Sequence, residues 1–114
     1  MDKENKSGGR LRISDDVITE IVTTSTLDTQ GVAEVANNFA DEFFEKISRK
    51  HIMNTGVEIK NDEDDMDITV NVTIKENSRI KDVAKEIQRN VKTNVENMTG
   101  LKVGSVCVNV TGIM

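Results

Sequence analysis

Apolar positions follow two different rhythms along this chain. In residues 81–100, "KDVAKEIQRNVKTNVENMTG", Val83, Ala84, Ile87, Val91, Val95 and Met98 recur at helical spacing on one side. Lys81, Lys85, Arg89 and Lys92 recur on another. The spacing predicts an amphipathic helix, capped by Asn77 or Ser78 and stopped at Gly100 in a left-handed turn. A shorter stripe, Val17, Ile18, Ile21 and Val22, follows Ser14, a good N-cap, with Asp15 and Asp16 where the helix dipole favours negative charge. That helix should run to about Thr26 and fray among its Ser and Thr residues. A third stripe, Val32, Val35, Phe39, Phe43 and Ile47, marks an amphipathic segment over residues 31–55. It either packs on the domain or is a mobile arm presenting Phe39, Phe43 and Phe44 to a partner.

The other rhythm is a period of two. Met66, Ile68, Val70, Val72 and Ile74 alternate with Asp67, Thr69, Asn71, Thr73 and Lys75, which predicts a strand with one buried and one polar face. "GVEIK" before it, across the acidic "NDEDD", completes a hairpin. "RLRIS" reads as a short first strand. "LKVGSVCVNVTGI" reads as the last, with Leu101 and Val103 on one parity and Val106, Val108 and Val110 on the other. A bulge at Gly104-Ser105 keeps both sets buried. The expected fold class is α+β: a small single domain in the order strand-helix-strand-strand-helix-strand, with helices on one face of a mainly antiparallel sheet. Residues 1–9 should be a flexible tail and residues 10–114 the domain.

Composition narrows the function classes. The chain has 114 residues, no Trp, Tyr or Pro, and three Phe, so its core rests on aliphatic side chains. No apolar run reaches the roughly 20 residues that span a bilayer, and no signal peptide is evident, which predicts a cytoplasmic protein. Cys107 lacks a disulfide partner and reads as a small, packed or partly packed hydrophobe. His51, the single histidine, sits in a polar stretch with no nucleophile implied beside it, so no catalytic residue is assigned. Asp62, Glu63, Asp64 and Asp65 lack the spacing of a calcium loop and read as a solvated hairpin tip. No cofactor motif and no metal grouping is present in the sequence.

Charge is uneven beneath the formal net value of −5. Residues 14–47 hold eight acidic residues and one basic residue, Lys46. The basic face at Lys81, Lys85, Arg89 and Lys92 is therefore the candidate interaction surface, with Phe39, Phe43 and Phe44 as a second. Lys92 can pair with Glu96 four residues on. The basic face can simply be solvated, meet the acidic surface of another copy, or bind RNA phosphates as a small ribosome-associated or RNA-binding module. The charge asymmetry favours association between copies.

Residues 9–22 ("GRLRISDDVITEIV"), "GVAEV" from Gly31, "GVEIK" from Gly56, and above all residues 80–113 resemble the alkaline shock protein family of Gram-positive bacteria. The resemblance covers nearly everything after the N-terminal tail. It implies a non-enzymatic, stress-related protein that supports cell-envelope homeostasis. It also implies self-association into homo-oligomers and membrane association through a membrane-embedded partner of the same family. The segment "ANNFADEFFEKISRKHIMNT" departs from the Gly-rich stretch common in relatives.

Overall fold

The computed structural model describes residues 13–35, 56–61 and 65–114. Among the described residues two helices, α1 (Asp15–Leu27) and α2 (Ile80–Thr99), pack on one face of a four-stranded sheet. The strands are β1 (Val32–Val35), β2 (Val57–Asn61), β3 (Met66–Ile74) and β4 (Val103–Ile113). The α+β class holds, and the first described element is a helix. The strand expected at "RLRIS" lies in part outside the described residues, and Ile13 and Ser14 are not in a strand.

β3 is the centre of the sheet. Its even positions, from Met66 to Ile74, are all buried, and Val32, Val35, Val57, Ile59, Val103, Val106, Val108 and Val110 of its neighbours are buried or half-buried with them, while Asn61 and Ile113 at the strand ends are exposed. β4 runs parallel along one whole edge, from Met66 opposite Val103 to Ile74 opposite Ile113. The expected slip at Gly104 is present, and a second slip falls after Val110. The other edge of β3 is shared. β2 pairs antiparallel with Met66 to Val70, and β1 pairs antiparallel with Val72 to Ile74.

β1 corrects the sequence expectation, because residues 32–35 belong to a strand and not to the start of an amphipathic helix. The two valines of "VAEV" suit a pleated surface. Val32 then lies opposite Ile74 and Val35 opposite Val72, which buries Val32 on the core side. The rest of the stripe, Phe39, Phe43 and Ile47, lies outside the described residues.

Where β1 ends and β2 begins, the register does not change. Val35 faces Val72, Gly56 O accepts the Asn71 amide at 2.8 Å, and Val57 faces Val70. Three successive positions of β3 thus meet Val35, Gly56 and Val57 in order. The edge is a single strand in two pieces, with Val35 and Gly56 at adjacent positions along β3.

The core is Ile18, Val22, Val32, Val57, Val83, Ile87, Val91, Val95 and Val103 around the five even residues of β3. Full burial of such side chains contributes about 1.5–3 kcal/mol each, so among the described residues the core rests on this aliphatic set. Met98, expected on the same stripe, is 70% exposed in the last turn of α2.

The end of α1, expected to fray, is helical to Leu27 and hydrogen-bonded by its side chains. The Ser25, Thr26 and Thr29 hydroxyls donate to the carbonyls of Ile21, Val22 and Ser25. Two α2 amides then reach these residues: Asn94 Nδ2 donates to Ser25 Oγ at 2.8 Å, and Asn90 Nδ2 to Thr29 Oγ1 at 3.0 Å. The polar residues that weaken the isolated helix form its seam with α2. The first turn follows expectation, with Ser14 Oγ accepting the Val17 amide at 3.4 Å. α2 does not: its cap is Arg79, without a side-chain hydrogen bond, because Ser78 is held one residue earlier in a turn to Lys75 O. Gly100 does end α2 in the left-handed region, at φ 80°.

Candidate interaction surface

Packing fixes which side of α2 meets solvent. Val83, Ile87, Val91 and Val95 lie inward, so Lys81, Lys85, Arg89 and Lys92 are all exposed on the outer side. Arg89 is bonded to the Glu86 carboxylate one turn back, and Arg79 pairs loosely with Asp82 at 3.9 Å. Among the described residues, Lys81, Lys85 and Lys92 have no ion pair. Glu96, the partner expected for Lys92, turns away and accepts the Val103 amide at 2.9 Å. A buried strand start gains more from that acceptor than an exposed lysine would, since surface pairs are worth only about 0–1 kcal/mol.

The neighbouring helix carries the opposite sign. Residues 13–35 contain Asp15, Asp16, Glu20, Asp28 and Glu34 and no lysine or arginine. All five carboxylates are exposed. The helical layer is therefore acidic on α1 and basic on the outer side of α2.

An open groove of about 550 Å³ lies where the Gln30-Gly31 turn meets the start of α2. Lys75 and Arg79 line it together with Glu76, Asp82 and Glu86, so neither sign prevails. Among the described residues no group of three or more His, Cys, Asp or Glu side chains is gathered to hold a metal ion. His51, residues 62–64 and the candidate surface at Phe39, Phe43 and Phe44 lie outside the described residues. Cys107 is exposed, which corrects the expectation of a packed side chain. Its parity on β4 puts it with Ser105, Asn109 and Thr111 on the face away from the helices.

A profile of the alkaline shock protein 23 family, described by its cell envelope-related function, matches residues 3–114. This chain belongs to the alkaline shock protein family. The match bears out the resemblance carried by the sequence motifs. Among alkaline shock protein relatives, YqhY of Bacillus subtilis (strain 168) is 30% identical over 99% of this chain and 83% of its own. Spy1614 of Streptococcus pyogenes serotype M6 is 32% identical over 97% and 93%. Both are described as uncharacterized. The alkaline shock protein fold seen here also resembles solved MamM-CTD structures. One superimposes with a TM-score of 0.53 at 11% identity, over 87% of this chain and 98% of that one. A copper form matches at 0.51. At such identity the likeness extends to the fold alone. Among the described residues of this alkaline shock protein family member, no helix is long and apolar enough to cross a membrane.

Proposed function

We propose that this protein is a non-enzymatic scaffold of the cell envelope that associates with itself and docks on a membrane-anchored partner. The observation that carries the reading is the charge division of the helical layer: exposed carboxylates on α1, and exposed Lys81, Lys85, Arg89 and Lys92 on α2, the three lysines without an ion pair among the described residues. Turned against a second copy, the basic side of one α2 meets the acidic α1 of the next. Such a heterologous contact repeats from copy to copy. Individual exposed pairs are weak, so the contact depends on several acting together and fades with added salt.

Phe39, Phe43 and Phe44 form the second proposed surface, directed at the membrane-anchored partner. The cell-envelope character of the family and the absence of a spanning helix among the described residues support a partner-mediated place at the membrane.

The test is sedimentation velocity on the purified chain across a salt series, with RNA binding measured in parallel. Association that declines with salt and is lost in the Lys85→Glu, Arg89→Glu double variant supports the reading. Salt-independent association unaffected by that variant, or RNA binding through the same residues, refutes it.

A further inference from the structure

β4 is the edge of the sheet among the described residues, and its hydrogen-bonding pattern identifies the groups that point outward. Lys102 O accepts the Met66 amide, and at the far end Met114 donates to Ile74 O and accepts from the Glu76 amide. In a parallel ladder the residues that bond the neighbour alternate, and each slip in register resets the parity. Between the two slips, Ser105, Cys107 and Asn109 therefore turn their backbone to β3, while Val106, Val108 and Val110 turn theirs outward. Gln88 Nε2 already reaches one of these outward groups, donating to Val106 O at 3.0 Å.

Natural edges are usually guarded by charge or proline. From Val103 to Ile113 this strand contains neither: "VGSVCVNVTGI". It is also nearly the same sequence in both directions about Val108. Val103 mirrors Ile113, Gly104 mirrors Gly112, Ser105 mirrors Thr111, and Val106 mirrors Val110. Cys107 mirrors Asn109. Val106, Val108 and Val110 are only half-buried beside their own helices.

The geometry points to β4 as a two-fold contact with a second copy of this chain, the two edges running antiparallel about Val108. This specifies one surface for the self-association proposed above, and it rests on that reading only to this extent. Val106 then exchanges backbone hydrogen bonds with Val110 of the other copy, and Val108 with its counterpart, for about six bonds in all. On the helix side the half-buried valines of both copies join into one apolar strip. On the open side small polar residues meet across the axis, Ser105 against Thr111. A chain of net charge −5 repels its copy, and this neutral edge lets two copies approach without placing like charges together.

The pairing fixes distances that the side chains can report. Cys107 sits directly opposite Asn109 of the other copy in a non-hydrogen-bonded pair, with Cα atoms about 4.5 Å apart. That falls inside the disulfide range, whereas the two native Cys107 residues are diagonal, at about 7–8 Å.

The experiment uses the full chain in about 1 M NaCl, where charge contacts are screened beyond about 3 Å. Sedimentation should show a dimer that grows with protein concentration. Val108→Pro, which removes an outward amide, and Cys107→Lys, which charges the open face of the edge, should each weaken it by about tenfold or more. Circular dichroism identifies folded variants, and Cys107→Lys alters an exposed side chain only. After oxidation with diamide, Asn109→Cys should cross-link into a covalent dimer and the unmodified chain should not. A monomer in high salt, a dimer indifferent to Cys107→Lys, or equal cross-linking with and without Asn109→Cys overturns the proposal. Association lost to Lys85→Glu, Arg89→Glu but untouched by the edge variants leaves the helix-face reading standing alone. Association lost only to the edge variants overturns the helix-face reading and supports this one.

Discussion

Glu96 of α2 accepts the amide of Val103, the first residue of β4, through Oε2 at 2.9 Å. The bond spans the turn that reverses the chain from helix to strand. Thr99 Oγ1 supports the same turn, donating to Val95 O and accepting the Leu101 amide. Glu96→Ala leaves a sheltered amide without its acceptor and should lower stability by about 1–2 kcal/mol. Glu96→Gln keeps an acceptor and should lose less than half of that. Urea unfolding midpoints at constant m-value check both.

Two glycines with positive φ should respond differently to the same change. At Gly31 (φ +99°) an added Cβ would stand 2.6 Å from Val83 Cγ2, so Gly31→Ala combines backbone strain with a clash against α2. A loss of about 2–3 kcal/mol is expected. At Gly100 (φ +80°) nothing lies within 4 Å, and Gly100→Ala should cost about 1 kcal/mol, from backbone strain alone. Equal losses would show that the approach of the Gly31 turn to α2 is looser than described.

The seam between the helices is testable as a pair. Ser25 Oγ donates within α1 while accepting from Asn94 of α2. A double-mutant cycle of Ser25→Ala and Asn94→Ala should give a coupling of about 0.5–1.5 kcal/mol. Additive losses would mean that the Ser25–Asn94 bond adds nothing to the hold of α1 on α2.

Charge reversal on the outer face of α2 should separate association from folding. Lys85→Glu with Arg89→Glu alters exposed side chains and one exposed pair to Glu86, so stability should stay within about 0.5 kcal/mol. Self-association at low salt should fall sharply in the same protein. Thermal melts beside sedimentation velocity check both halves of the statement.

The elements most legible in the sequence are those whose pattern is sustained and whose burial is one-sided. Nine residues of strict alternation define β3, and the stripe from Val83 to Val95 defines α2. β1 was hidden because four residues carry little periodicity of their own, and their valines also fit the helical spacing toward Phe39. Only pairing with Val72 to Ile74, far along the chain, decides the matter. The candidate surface was legible in the same uneven way. Exposure of Lys81, Lys85, Arg89 and Lys92 follows from the apolar stripe opposite. The fate of Glu96 does not, since its partner is an amide brought in by another element. The alternation of β4 was plain too, but parallel pairing with β3, which decides the groups left facing outward, depends on topology.

The unbroken register across Val35, Gly56 and Val57 makes the first edge of the sheet tolerant of length. Joining Val35 directly to Gly56 would keep every later pair with β3 in step, so removal of residues 36–55 should leave a domain that folds. The same junction would accept a different cassette, or new chain ends in a permuted protein, without moving a core side chain. What the domain displays there can therefore diverge freely while the sheet beneath stays as it is.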